Sequence, residues 1–145
     1  MTATTTTVRQ ILQRKPGVYA VPPGETVYNA LTLMAERNIG AVLVLDGEHL
    51  AGIFSERDYA RRGILQGHMS RETAVREIMT PTVICVDPSA TVDECMALMT
   101  DKRIRHLPVL EHGGLLGIVS IGDIVRAVVD EQRFTIQSLV SYVTS

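Results

Sequence analysis

Apolar residues recur at helical spacing twice along this chain, as Val27, Ala30, Leu31 and Met34 and again as Val92, Cys95, Met96 and Met99. A period of three to four residues predicts an amphipathic helix at each place. A threonine precedes both, Thr26 and Thr91, where its hydroxyl can cap free backbone N–H groups. With Glu94, Thr91 also fits a capping box. The pattern then changes: AVLVL and LPVL are apolar runs too short for helices, each followed by a polar step, DGEH or EHGG, and a second apolar run, LAGIF or LLGIV. Strand, tight turn, strand is the expected reading. With a short strand in front, VYAV or VICV, and a further helix starting at Ser55 or Ser120, each unit is β-α-β-β-α. Continuous apolar strands imply sheets covered on both faces, so the expected fold is mixed α/β, of the α+β type.

The two patterns are one pattern repeated. Val21 to Arg61 lies over Val86 to Arg126 without a gap, and fifteen of the forty-one pairs are identical. GIFSERD (52–58) and GIVSIGD (117–123) nearly coincide. Just upstream, VRQILQRKPGVYAV and VREIMTPTVICV align if the first copy carries two extra residues. The expected organisation is a first repeat over 8–62, a connector over 63–74, a second repeat over 75–129 and a C-terminal helical extension over 130–145. A solenoid needs about three repeats, whereas two can close on each other as a pseudo-symmetric pair. Running into the extension, Val125, Val128, Leu139 and Val143 keep helical spacing, a stripe able to pack on its own domain or against a second copy.

Composition narrows the function. The 145 residues are 46% apolar and 21% charged, the profile of a globular domain rather than a disordered chain. A net charge of −2 with scattered Lys and Arg argues against nucleic acid as the main partner. The opening MTATTTT lacks a charged and apolar leader pattern, and no window reaches about eighteen uncharged apolar residues, so a cytoplasmic protein without membrane contact is expected. Cys85 and Cys95 lie outside any C-x-x-C, and His49, His68 and His112 show no ligand spacing, so buried inert thiols and no metal site are expected. Neither Ser55 nor Ser120 sits in a G-x-S-x-G elbow and no acid/base pair stands out, which argues against an enzyme.

The chemistry-bearing residues are those of the repeated heptapeptide. Ser55 with Asp58, and Ser120 with Asp123, form S-x-x-D at a helix start, the pattern of a structural capping box. The same residues suit a nucleotide: a carboxylate can accept both hydroxyls of a ribose, and a helix N-terminus favours anions. Both readings are compatible with the residues alone.

Taken together, G-h-x-S-x-x-D in both copies, the run IRHLPVL (Ile104 to Leu110) and the lead-in IMTPTVICVDPSATV resemble the cystathionine-beta-synthase (CBS) domain, whose tandem pair is called a Bateman module. The resemblance covers about residues 8–129. It implies two repeats packed through their sheets, adenine nucleotides bound in clefts between the repeats, and a homodimer. Carried over by position, one site combines Ser55, Arg57 and Asp58 with Thr82, Val83, Ile84, Arg105, His106 and Pro108. The other combines Ser120 and Asp123 with Gly17, Val18, Tyr19, Gly40 and Ala41. Arg57, Arg105 and His106 make the first the expected phosphate site, whereas Gly40, Ala41 and Gly122 bring no charge to the second. AMP is the leading ligand, and ADP, ATP, NAD(H) and S-adenosylmethionine share its adenine and ribose. The implied role is a stand-alone regulatory protein for energy or redox sensing that signals to a protein partner by conformational change. The alternative is a ligand-free oligomerising scaffold.

Overall fold

The computed structural model describes residues 6–15 and 17–144, without the side chains of Ser138 and of residues 140–144. The described elements run α1 (Val8–Leu12), β1 (Ala20–Val21), α2 (Val27–Arg37), β2 (Ala41–Asp46), β3 (His49–Ser55) and α3 (Glu56–Asp58). Then follow α4 (Val92–Lys102), β4 (His106–Glu111), β5 (Gly114–Ser120) and α5 (Ile121–Thr144). The mixed α/β class expected from the periodicity is what the chain adopts, in two small sheets ordered β1-β2-β3 and β4-β5.

Helices α2 and α4 form where the apolar spacing places them. Thr26 Oγ1 accepts from Asn29 N–H at 3.1 Å and Thr91 Oγ1 from Glu94 N–H at 3.2 Å, the forward half of the expected box in the second case. Each helix stops on a residue in left-handed backbone, Asn38 (φ 55°) or Arg103 (φ 56°). The apolar face goes inward: Val27, Ala30 and Met34 in α2, and Val92, Cys95 and Met99 in α4, are buried. Both hairpins close through two-residue loops, and in the second both loop residues have positive φ, His112 at 53° and Gly113 at 80°.

The copies differ at their first strand. In the first copy β1 runs parallel to β2, with Leu43 N–H donating to Tyr19 C=O at 3.2 Å. In the second copy VICV leaves only a Val86↔Val109 bridge. Pro108 stands at the position of Leu43 and has no N–H to donate, so the equivalent ladder bond cannot form. They differ again after the motif. The helix expected from Ser55 is three α residues followed by a π turn (Tyr59–Gly63) and a 3₁₀ turn (Ile64–Gln66), whereas α5 continues for 24 residues. The Tyr59 ring packs on Gly63, where a Cβ would come within 2.9 Å of it.

The chain forms two compact units, one of Met1–Gly17 with Cys85–Ser145, the other of Val18–Ile84. The lead-in of each repeat therefore belongs to the unit built by the other. In the second unit, Val75 N–H donates to Glu25 C=O (2.8 Å) and Val27 N–H to Thr73 C=O (2.9 Å). In the first unit, Val8 N–H donates to Ala90 C=O (2.9 Å) and Val92 N–H to Thr6 C=O (2.9 Å), the same bonds one repeat on. Val75 and Ile78 complete the core of the second unit with Val21, Val27, Ala30, Met34, Val42, Val44 and Phe54.

Gly52, which opens the first heptapeptide, is where a lead-in meets a hairpin. Thr80 and Ile53 exchange backbone hydrogen bonds at 2.8 and 3.0 Å, and a Cβ on Gly52 would fall 2.7 Å from Thr80 C=O and 2.7 Å from Met79 Sδ. Gly52→Ala is expected to destabilise the protein by about 1–3 kcal/mol through forced separation of these segments. Urea unfolding measures it, and a change under about 0.5 kcal/mol would show that the lead-in yields at little cost.

Candidate functional site

Ser55 is the last residue of β3, and its extended backbone (φ −123°, ψ 165°) lets its side chain turn back over the first turn of α3. Its Oγ accepts from Asp58 N–H at 3.2 Å, while Asp58 Oδ2 accepts from Ser55 N–H at 2.9 Å and from the Ser55 hydroxyl at 3.0 Å. Asp58 Oδ1 accepts from the Thr80 hydroxyl at 3.0 Å and lies 3.8 Å from the Arg62 guanidinium. Arg62 also donates to Met79 C=O at 3.0 Å, so the lead-in is tied to both ends of this turn. Asp58 is 8% exposed.

The second heptapeptide repeats the arrangement with different partners. Asp123 Oδ2 accepts from Ser120 N–H at 2.8 Å, and Ser120 Oγ accepts from Asp123 N–H at 3.2 Å. The Lys15 ammonium donates to the same Oδ2 at 2.7 Å and to Ile118 C=O at 2.9 Å, and the Arg126 guanidinium lies 3.6 Å from Oδ1. A cavity of about 640 Å³ borders this carboxylate, walled by Ile11, Arg14, Lys15, Asp123, Arg126 and Phe134 among others. That volume is in the range of small-molecule sites, about 300–1,000 Å³.

Burial raises the Asp123 carboxyl pKa, but hydrogen bonds and charge from Lys15, with those from Ser120, outweigh it and hold the group below its ordinary value. With the folded pKa below the unfolded one, the contribution to stability is present above the unfolded value of about 3.9 and is lost as pH falls through the folded value. Asp123→Asn is therefore expected to lose less stability than the parent between about pH 5 and pH 2, measured by chemical unfolding. Parallel curves would remove Asp123 as the group responsible.

The candidate residues distribute over the two units. Val18, Tyr19, Gly40, Ala41, Ser55, Arg57, Asp58, Thr82, Val83 and Ile84 belong to the second, and Gly17, Arg105, His106, Pro108, Ser120 and Asp123 to the first. Within the second, Ala41 is the strand partner of Ser55, and Gly40 C=O accepts from Glu56 N–H at 3.1 Å. Within the first, His106 is the strand partner of Ser120, and Arg105 C=O accepts from Ile121 N–H at 2.8 Å. Thr82 and the Arg57 side chain are exposed, while Val83 and Ile84 are half-buried. Tyr19 packs on the core with the Arg37 guanidinium 5.1 Å above its ring. Gly17 has φ 57°, a backbone that disfavours side chains.

Sequence reasoning missed Thr80, Arg62, Lys15 and Arg126. Thr80 and Lys15 each precede a proline in the lead-in, and the unequal lead-in lengths were the available signal for the difference between them. The second carboxylate has two cations beside it, Lys15 and Arg126, which the expectation of an uncharged second site did not include. Cys95 is fully buried, and burial, with Glu94 adding to it, pushes its thiol up to about 11. Among the described residues no group of three His, Cys, Asp or Glu could hold a metal.

Two copies of a capped helix and a β-hairpin, the first with a short parallel strand beside it, each lead into a serine–aspartate cap, and together they form a tandem α/β module with one such carboxylate per repeat. The CBS domain profile matches residues 6–64 and 75–130, and this chain belongs to the CBS-domain family. It is 48% identical over 124 residues to the mitochondrial CBS domain-containing protein CBSX3 of Arabidopsis thaliana, covering 82% of this chain and 60% of that one. A candidate signal-transduction protein with CBS domains from Burkholderia ambifaria MC40-6 is 54% identical with a TM-score of 0.85, over 88% of this chain and 96% of that one. The CBS domain pair of protein MJ0100, solved with 5′-methylthioadenosine and S-adenosyl-L-methionine, is 27% identical with a TM-score of 0.76, over 88% and 98%. No described helix is long and apolar enough to cross a membrane.

Proposed function

We propose that this chain is a regulatory adenosine-ligand sensor in which Asp58 and Asp123 take ribose hydroxyls. The observation that carries the reading is the paired carboxylate: each is positioned by the N–H of its own serine, yet a carboxylate has about four lone-pair sites. Asp123 Oδ1 lies 3.6 Å from the Arg126 guanidinium, and Asp58 Oδ1 is paired with a hydroxyl that a sugar hydroxyl can replace. Capping and ribose binding are then successive uses of one group. Support comes from the adenosine ligands of the MJ0100 pair. AMP is the favoured ligand, with ADP, ATP, NAD(H) and S-adenosylmethionine as its competitors. Arg57, Arg105, His106, Thr82, Val83, Ile84 and Pro108 for Asp58, and Gly17, Val18, Tyr19, Gly40 and Ala41 for Asp123, remain the proposed neighbours of the ligand.

A ligand can bias conformation only through unequal affinity for two states, so signalling to a protein partner requires that binding change what the partner meets. CBS-pair proteins are generally regulatory, and in this reading the serines and aspartates bind rather than catalyse. A homodimer in the cytoplasm is the proposed working form. In α5, Val125 (51% exposed) and Leu139 (61%) of the expected stripe are open in the single chain, Val128 is half-buried, and the Val143 side chain lies outside the described residues. Sedimentation equilibrium at twice the 15.9 kDa chain mass is the expected result.

The test of function is thermal unfolding with AMP, ATP, NAD and S-adenosylmethionine in turn, with mass spectrometry of any copurifying molecule. A ligand at a hundred times its Kd that binds only the folded state stabilises it by about 2.7 kcal/mol. No shift with any of the four, and no copurifying nucleotide, would favour the scaffold reading, in which the aspartates only cap helices.

A further inference from the structure

The two copies differ at one station beside the aspartate. Thr80 and Lys15 each immediately precede a proline and each reaches the aspartate of its own unit, Thr80 Oγ1 to Asp58 Oδ1 at 3.0 Å and Lys15 Nζ to Asp123 Oδ2 at 2.7 Å. The longer first lead-in brings an ammonium to the carboxylate oxygen that also takes the serine N–H, whereas the second brings a hydroxyl to the other oxygen. Lys15 is not a solvated surface lysine: its side chain is 28% exposed, and Ile118 C=O takes a second of its three donors. Charges along the adjoining cavity are sorted as well. Lys15 and Arg126 flank Asp123 and Arg14 lines the same cavity, whereas Asp130 and Glu131 lie seven and eight residues further along α5, about 10–12 Å at 1.5 Å per residue.

We propose that Lys15 sets ligand preference at Asp123 by competing with ribose for the carboxylate, so that this site selects phosphate-bearing adenosine ligands over uncharged ones. The proposal rests on the adenosine reading given above. A ribose diol that takes both oxygens of Asp123 must share Oδ2 with an ammonium, which brings a full opposite charge to the carboxylate where the sugar hydroxyl brings only a dipole. An uncharged nucleoside offers Lys15 nothing in return. A phosphate offers a second anion, so the ammonium stays neutralised while the diol takes the carboxylate, and Arg14 and Arg126 add to the same field. At Asp58 the lead-in exchange is between neutral hydroxyls, Thr80 for sugar, and the Arg62 guanidinium stands off the same oxygen at 3.8 Å, so the lead-in imposes no such filter.

The test uses the full chain labelled with ¹⁵N and titrated with AMP and with adenosine, following the amides of residues 120–127, which report this carboxylate. In the parent, AMP is expected to bind at least about tenfold more tightly than adenosine, the equivalent of about 1.4 kcal/mol. Lys15→Thr, which copies the other lead-in, should bring the two within about threefold of each other, and Lys15→Arg should keep the preference for AMP. An unchanged ratio in a folded Lys15→Thr chain, or no preference in the parent, overturns the role of Lys15 while leaving adenosine binding intact. If neither ligand moves these amides in the parent, the adenosine reading of Asp123 fails, and the proposal fails with it.

Discussion

Phe54→Ala is expected to lower the unfolding free energy by about 3–5 kcal/mol, the usual cost of deleting a buried aromatic ring. Phe54 is fully buried on β3, opposite Val42, in the core with Met34, Val44, Val75 and Ile78. Val75 and Ile78 enter that core from the lead-in of the second repeat, so the cavity opens at a seam between distant segments. Partial collapse of the seam sets the lower end of the range. Urea denaturation of parent and variant measures the loss, and a value below about 1 kcal/mol would mean that the ring is not part of a packed core. Because Ser55 is the next residue, the proposed binding of an adenosine ligand is expected to weaken as well.

Asp58→Ala should have two separable effects. Removing the carboxylate leaves the Ser55 N–H, the Ser55 hydroxyl and the Thr80 hydroxyl without their acceptor in a place that water barely reaches. Loss of a cap and of hydrogen bonds to a charged group predicts a destabilisation of about 2–4 kcal/mol. Affinity for an adenosine ligand should fall by about 1–3 kcal/mol if the carboxylate takes the ribose. Asp58→Asn separates the two, since its amide oxygen can still cap while the charge is gone. Calorimetry on Asp58→Asn, at a temperature where it is as folded as the parent, is expected to show weakened binding with most stability retained. Equal affinity in the two proteins would leave Asp58 as a capping residue. Asp123→Ala asks the same of the other carboxylate.

Much of the fold was legible because its signals are local. The spacing of Val27, Ala30 and Met34, the caps Thr26 and Thr91, and the short apolar runs around DGEH and EHGG each report the conformation of a few neighbouring residues. The capping role of Ser55 and Ser120 was legible for the same reason, as each bond spans three residues. Where local reading failed, a single atom or a packing contact decided. VICV does not become a strand because Pro108 lacks an N–H, and the helix after Ser55 breaks where the Tyr59 ring rests on Gly63.

The sequence by itself determined the duplication, the capped helix and hairpin of each copy and the placing of one serine and one aspartate at the same point in both. Only the tertiary structure decided that the lead-ins are exchanged between compact units, and that Lys15 therefore meets Asp123 across 108 residues while Thr80 meets Asp58 across 22. Periodicity and capping are written in residues within a turn or two of each other. A polar contact between an exchanged segment and a helix start depends on where the backbone is carried by its buried side chains, Val8 and Ile11 for the Lys15 ion pair and Val75 and Ile78 for the Thr80 hydrogen bond.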